Sequence, residues 1–471
     1  MSSTFGGLNT AFHGLSAATA GLNITGQNVA NSGTAGYTRQ RLDVSAAAPP
    51  ARVGLGALTS PGAGQGVNVN AVSRSGNEML DTRVRNTSAN AGYTVARAET
   101  LLNIESIMAE PGDRGISARL DSFYAAWQDV ANNPAEAAPS GVLLQESSAL
   151  ASQLRDSYSA LEGEYSGGFT ALASMAQTLN SAASEVAGLN GAIRSTLAGG
   201  GSANELIDRR SQLTGQIASL AGGSVRDTGN GMVEVLVGGN ALVSGEKAYT
   251  LKAEGSATLD GAANNPAHLE WEGRTIKTVA LSSGEAAGTI SVLAPANAAG
   301  TGGAIAEAAA SYNAFTEQLA GTVNAVHRTG QSSDGRTGLD FFTLTPGMSP
   351  AAGLRVISSP ADIASRAPGT GGLNGSVADS IAQLRVGSGT AAQTWRSFVT
   401  RVGADSAAAL SSGLQAEAMA NSASSLQLAG ASVSLDEESM NLISYQHAYQ
   451  ANARVMSAID EMLETLINIG R

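Results

Sequence analysis

The sequence predicts a mainly α-helical, elongated fold that is divided into several domains and carries a β-rich insert. Three observations favour this fold class. Apolar residues recur at helical spacing over most of the chain, Ala, Gly and Ser are abundant while aromatic residues make up only 4%, and a Val- and Gly-rich central stretch alternates as strands do. With 471 residues the chain is long enough for two to four domains.

A first helix is predicted near the N-terminus. Its apolar positions alternate by four and three residues, and only small residues interrupt the pattern. These positions are Leu8, Phe12, Leu15, Thr19, Leu22, Gly26 and Val29. The helix should stop near Asn31, because Gly33 and Gly36 supply a flexible exit. Extended chain that bears Gly and Pro is expected from about residue 46 to residue 72.

Helical patterns dominate residues 77–220. Apolar stripes cover residues 116–130, 143–161, 172–193 and 206–220, and three glycines at 199–201 separate the last two. Alternation over residues 232–237, followed by Gly238 and Gly239, then predicts strand, turn and strand. Further short strands are expected at 269–271 and 290–293. We therefore predict a β-rich insert over residues 222–300.

Two long helices are predicted to close the chain, at about 391–429 and 436–467, after a helix at 305–326 and a mixed region at 329–390. The last helix carries a seam with the same alternation by three and four. The seam consists of Leu435, Glu438, Leu442, Tyr445, Tyr449, Asn452, Met456, Ile459, Leu463 and Leu466. This order of elements implies that both chain ends return to the same place and that the N- and C-terminal helices pair like a coiled coil.

Three domains follow from this arrangement. Residues 1–45 plus 430–471 are expected to form a terminal helical domain, residues 46–221 plus 301–429 a helical body domain, and residues 222–300 the insert. Long helices alone in water are marginal, and pairing covers only one face of each terminal helix. The seams are therefore expected to be completed by other subunits, although periodicity alone leaves open that they pack on the protein's own body.

Charge and composition argue against several classes of function. A net charge of -12 disfavours a sequence-independent nucleic-acid binder, and no polybasic stretch suits an anionic membrane. The absence of cysteine excludes disulfides and thiolate metal sites. No run of about 18 apolar residues predicts a membrane span. The first 38 residues carry no Asp, Glu, Lys or Arg, so a cleaved secretory signal is not expected.

No motif predicts catalysis. The four histidines, His13, His268, His327 and His447, form no H-E-x-x-H pair, and the sequence has no Walker A loop, G-x-G-x-x-G or G-x-S-x-G. The acidic pair Glu437–Glu438 is read as a charge complement to a helix N-terminus. We therefore expect no enzyme activity, no cofactor and no metal.

Both ends of the chain resemble the axial proteins of the bacterial flagellum. Residues 28–40, NVANSGTAGYTRQ, resemble the N-terminal axial motif, and Thr38-Arg39-Gln40 is similar to the version found in the hook-associated protein 1 family. Residues 434–471 resemble the C-terminal half of the same signature. Weaker resemblances lie at residues 204–210, 323–327 and 338–342. The likeness covers about half of the chain and does not include the insert or residues 343–390.

The resemblance implies a structural subunit of the hook–filament junction that is required for filament assembly. It implies export without cleavage by the flagellar type III apparatus, a cytoplasmic chaperone on the C-terminal helix, and an extracellular ring-like zone that contacts hook protein and hook-associated protein 3. The residues expected at the assembly interface are Leu8, Phe12, Leu15, Leu22, Asn28, Val29, Asn31, Gly36, Tyr37, Thr38, Arg39, Leu435, Leu442, Tyr445, Tyr449, Asn452, Met456, Ile459, Leu463 and Leu466.

Two alternatives remain open from the sequence. The chain could be another axial protein, such as a hook, distal rod or flagellin-like subunit. Thr38-Arg39-Gln40 and the ending over residues 466–469 favour the junction protein. The chain could also have an added role as a surface adhesin whose β insert binds a ligand, because insert domains face solvent and vary.

Overall fold

The structure is a computed structural model that describes residues 4–47, 64–275 and 277–469; of these, the side chains of residues 4, 5, 466 and 469 are not described. The chain begins with α1 (Thr4–Ala30), followed by a hairpin of β1 (Gln40–Ala46) and β2 (Val67–Arg74). The predicted helix end near Asn31 is confirmed. Part of the predicted extended stretch, residues 48–63, lies outside the described residues.

Four helices follow the hairpin: α2 (Glu78–Met108), α3 (Ile116–Asn132), α4 (Ala137–Ala198) and α5 (Asn204–Ala221). The N-terminus of α2 is fixed by Asn77, whose side chain accepts hydrogen bonds from the backbone of Met79 and Leu80. The two stripes predicted at 143–161 and 172–193 lie on the single 62-residue helix α4. Its end at the three glycines is confirmed.

The β-rich region consists of six short strands. They are β3 (Ser224–Gly229), β4 (Met232–Val237), β5 (Asn240–Ser244), β6 (Lys247–Ala248), β7 (Leu251–Glu254) and β8 (His268–Trp271). The first four form an antiparallel sheet in chain order, and the last two form a hairpin. Asn190 of α4 donates to the carbonyl oxygens of Val233 and Gly245, so the sheet is tied to the helix and shares its core.

One strand prediction is wrong. Residues 290–293 were expected to be extended, but Ile290 lies in α6 (Glu285–Val292). A short apolar run is compatible with either state, and packing decides between them. Here Gly288 brings the helix against the backbone of α2, where an added β-carbon would lie 2.6 Å from the carbonyl oxygen of Tyr93.

The rest of the body is helical with a mixed region, as predicted. After α7 (Ala304–His327) come β9 (Phe342–Leu344), α8 (Pro350–Gly353), β10 (Leu354–Val356) and α9 (Ser376–Ala382). One cluster of rings in the core joins α3 to this region. It contains Phe123, Trp127, His327, Phe341 and Phe342. A second cluster of rings, Tyr312, Phe315, Trp395 and Phe398, joins α7 to the helix that begins at Ala391.

Two pairs of long helices extend the molecule. Helix α10 (Ala391–Ala431) packs along α2, with Gln427 bonded to Asp81 and Ser406 bonded to Glu105, so the two helices are antiparallel. Helix α11 (Leu435–Ile469) packs along α1. The predicted fold class and the pairing of the terminal helices are confirmed. The exact division into three domains stays a prediction, since the sheet and α4 share one core.

Candidate functional site

Helices α1 and α11 pack in one antiparallel register. A β-carbon added at Gly21 would lie 2.5 Å from the ring of Tyr445, and one added at Gly14 would lie 2.5 Å from Asn452 Oδ1. Nearer the N-terminus of α1, a β-carbon at Gly7 would lie 3.3 Å from Ile459 Cδ1. The contacts advance by seven residues on each helix, in opposite directions, which is typical of coiled-coil packing.

The face of α1 that meets α11 is not the apolar face singled out from the sequence. The most buried side chains on α1 include the small or polar ones of Ala11, Ala18, Thr25 and Asn28. Phe12, in contrast, is 58% exposed. The predicted seam is only partly covered: Leu8, Leu15 and Leu22 are half-buried, whereas Phe12 and Val29 are exposed. Small side chains allow the helix axes to approach closely. The spacing of seven residues between Gly7, Gly14 and Gly21 is the sequence signal that identifies this face.

The predicted seam of α11 is only partly buried. Ile459 is buried and Leu442, Tyr445, Asn452, Met456 and Leu463 are half-buried. Leu435 and Tyr449 are exposed, and the side chain of Leu466 lies outside the described residues. Exposed apolar residues that the sequence analysis missed add to the outer side of α11. They are Met440, Ile443, Val455, Met462 and Ile467.

Asn28 organises the exit from α1. Its side chain is 1% exposed and makes three hydrogen bonds: it donates to the carbonyl oxygen of Gln40 and accepts from Gln40 N and from the Tyr37 hydroxyl, at 2.9–3.0 Å. Asn31 directly follows the last residue of α1, and its side chain donates to the carbonyl oxygen of Gln27, four residues earlier. Both asparagines bond backbone groups near the helix end, and only Asn28 joins two elements.

Arg39 connects the two chain ends. Its side chain donates to Glu438 at 2.8 Å and to Glu437 at 2.7 Å, at the start of α11. Its backbone N–H donates to the carbonyl oxygen of Ala431, the last residue of α10. Both carboxylates belong to the same chain, so these contacts of Arg39 are intramolecular. Arg41 is exposed and lies 3.4 Å from Asp43.

The loop after α1 is anchored on α5. Thr38 N–H donates to Asp208 Oδ2 at 2.9 Å, and Gln212 donates to the carbonyl oxygen of Ala35 at 2.6 Å. Gly36 has a φ of 76°, and a β-carbon there would overlap the Gln212 side chain. This position therefore requires glycine both for its backbone conformation and for space.

Buried charges surround this anchor. Arg74 Nε lies 2.9 Å from Asp208 Oδ1 without the alignment of a hydrogen bond. Burial raises the pKa of Asp208, although the Thr38 N–H and Arg74 act in the opposite direction. Burial, together with Glu205, Asp208 and Glu438, raises the pKa of Tyr37 to about 12, so its hydroxyl remains a donor to Asn28 at neutral pH. The end of α1, the loop after it, the end of β2, α5 and the start of α11 thus form one polar joint. The joint consists of Asn28, Tyr37, Thr38, Arg39, Gln40, Arg74, Glu205, Asp208, Glu437 and Glu438.

The arrangement is suited to holding helices in place. Within the described ranges no group of three or more acidic, His or Cys side chains is placed to hold a metal ion. His327 is fully buried, with Nδ1 donating to the Leu339 carbonyl oxygen and Nε2 accepting from Ala364 N–H. Both of its ring nitrogens are therefore used in packing. No described helix combines the length and hydropathy needed to cross a membrane.

Comparison with known proteins agrees with this geometry. The family described as the flagellar hook-associated protein FlgK helical domain matches residues 101–342, and the flagellar basal body rod FlgEFG protein C-terminal family matches residues 427–469. The second match covers the end of α10 and the whole of α11. The first covers the body from α2 to β9, including the β-rich region.

Individual relatives give the same result. The chain is 29% identical to flagellar hook-associated protein 1 of Bacillus subtilis, with 99% of both chains covered. It is 27% identical to the Salmonella typhimurium protein of that name over 72% of this chain, and it spans only 59% of that relative's length.

A solved structure has the same fold. The flagellar hook junction protein FlgK from Burkholderia pseudomallei matches with a TM-score of 0.62 and 14% identity, over 74% of this chain and 99% of that one. The helical-domain family alone accounts for just over half of the 471 residues. The chain therefore belongs to the family of the flagellar hook-associated protein FlgK, the structural subunits of the hook–filament junction in the bacterial flagellum.

Proposed function

We propose that this chain builds the junction through its terminal helices, whose outer apolar faces are completed by neighbouring subunits. The observation that carries the proposal is the exposure of large apolar side chains on α1 and α11 after the two helices have paired. Phe12 is 58% exposed and Ile443 is 54% exposed. Several such side chains exposed on the same pair of helices are typical of an interaction surface.

The neighbours are further copies of this chain and the axial proteins on either side. A contact that repeats from copy to copy without closing on itself produces a helical tube. Hook protein on one side and hook-associated protein 3 on the other are the partners implied by the family. Among the predicted interface residues, the large apolar side chains that are exposed to such neighbours are Phe12 and Val29 on α1 and Leu435 and Tyr449 on α11.

The terminal segments also bear on how the chain is exported from the cell. An uncharged N-terminal region of 38 residues and an exposed apolar α11 suit a chain exported by the flagellar type III apparatus and shielded beforehand by a cytoplasmic chaperone. The mature location is then the extracellular flagellum. An adhesin role for the insert is not favoured by any described contact.

The test is deletion of the gene, followed by electron microscopy of the cells and analysis of the growth medium. The proposal predicts hooks without filaments and flagellin lost to the medium. Complementation with the unaltered chain should restore filaments, and complementation with Phe12→Ser plus Ile443→Ser should not. Normal filaments in the deletion strain, or full rescue by the altered chain at equal expression, would contradict it.

A further inference from the structure

The contacts between α1 and α11 follow a numerical rule. Glycines stand at positions 7, 14 and 21 of α1, and larger side chains stand at positions 459, 452 and 445 of α11. Each glycine faces one larger side chain, and the two position numbers always add up to 466. The same spacing continues to Asn28 and Glu438, which are both 1% exposed. Four successive heptads of the helix pair therefore follow one register.

Neither neighbouring register preserves these contacts. A slide of seven residues in one direction would place the ring of Tyr445 against Asn28, which has a side chain and whose amide already makes three hydrogen bonds. A slide in the other direction would move Glu438 by ~10 Å along the axis. That displacement would break its hydrogen bond with Arg39.

We infer that Gly7, Gly14 and Gly21 set the register of the terminal helix pair by accepting Ile459, Asn452 and Tyr445. The register decides which apolar side chains of α1 and α11 lie outward together, so the inference rests on the proposed assembly role and deepens it. The tests use the free monomer, so they can fail while the assembly role holds.

The first test is a set of substitutions in α1, followed by hydrogen exchange of α1 and α11. In Gly21→Ala the added methyl group overlaps the Tyr445 ring, and protection of both helices should fall at least tenfold. In Gly26→Ala the new methyl group has no atom within 4 Å, so protection should be unchanged or higher, because Ala is the better helix former. Equal protection in the two variants would overturn the inference.

The cause of the effect is checked by relieving the overlap. Tyr445→Ala removes the ring with which the new methyl group overlaps. If the two residues act as a pair, the fold loss of protection in the double variant should be at least three times smaller than the product of the fold losses in the two single variants. Additive losses would mean that the glycine and the tyrosine do not act as a pair, and the inference would fall.

A second test measures the register directly and tolerates some loss of stability. The chain has no cysteine of its own, so any disulfide that forms must join the two introduced cysteines. Gly14→Cys with Asn452→Cys should form a disulfide within the monomer under mild oxidation. Gly7→Cys with Asn452→Cys, one heptad out of register, should not. Equal yields from the two pairs, or no disulfide from the first, would contradict a fixed register.

Discussion

Arg39 bonds Glu438 at 2.8 Å, although 399 positions separate the two residues in the chain. Glu438 is almost completely buried, and the first turn of α11 also carries Asp436 and Glu437. In Arg39→Ala the buried carboxylate loses its charged partner, at an expected cost of about 1–3 kcal/mol. Hydrogen exchange over residues 435–445 should therefore become faster, while exchange in α4 stays unchanged.

Arg41→Ala is the matched control for this change. It removes the same charge two residues away, but its side chain is exposed and its ion pair with Asp43 is long. Surface pairs of this kind are worth at most about 1 kcal/mol. If Arg41→Ala loosened α11 as much as Arg39→Ala does, net charge and not the specific contact would be responsible.

Asn28→Ala should destabilise the polar joint more than Asn31→Ala does. The Asn28 substitution leaves the N–H and the carbonyl oxygen of Gln40 without their buried partner, at about 2–3 kcal/mol, whereas the Asn31 side chain bonds only Gln27 and Thr34, at an exposed site. Urea unfolding followed by hydrogen exchange of residues 37–46 would measure both. The reverse order of effects is incompatible with the role assigned to Asn28.

Substitutions on the two sides of the terminal pair should separate stability from assembly. Phe12→Ser changes an exposed residue, so the monomer should lose less than about 0.5 kcal/mol while polymerisation is impaired. Ile459→Ala removes a buried side chain next to Gly7 and should cost the terminal pair about 2–4 kcal/mol.

Leu442→Asp with Leu463→Asp should leave the body folded. Circular dichroism and sedimentation would measure these effects, and global unfolding of the last variant would contradict the domain organisation.

Acid should destabilise the helical body through His327. Burial lowers the pKa of His327 below the ordinary value of 6.5, so the native state resists the proton that the unfolded chain takes up. The stabilisation is present above about pH 6.5 and is lost as the pH falls, with a slope of up to about 1.4 kcal/mol per pH unit. Asp340 and Asp362 oppose the shift in part.

The pH effect is measured by urea unfolding from pH 8 to pH 5. His327→Gln should be less stable than the unaltered chain at pH 8, because the bonds to Leu339 and Ala364 are weakened, and the difference should narrow towards pH 5. His447→Gln, on the exposed part of α11, should keep the original profile. If the difference in free energy of unfolding between His327→Gln and the unaltered chain stayed constant from pH 8 to pH 5, His327 would be excluded as the titrating group.

The sequence was sufficient for most helices because periodicity and glycine breaks are local signals. It located α1, α4, α10 and α11 and the alternation of β4. It did not decide between strand and helix for residues 290–293, where contact with α2 determines the outcome. Local patterns do not record which distant surface packs on a short segment.

The candidate site was harder to predict for two physical reasons. A search for apolar periodicity selects the largest side chains, whereas α1 packs on α11 through its smallest ones, so the stripe containing Phe12 did not reveal the face that contacts α11. Partners distant in sequence, such as Arg39 with Glu438 or Thr38 with Asp208, have no local signature. The motif around Tyr37 indicated importance without revealing its contacts.

The uninterrupted length of α4 has a mechanical consequence. Its 62 residues form one rod of about 93 Å. An axial pull on this rod is opposed by backbone hydrogen bonds along its whole length, and no loop within it can straighten first. Asn180 and Asn190 also fasten the strands to its side. A pull along the helix axis is therefore carried by the whole length of α4.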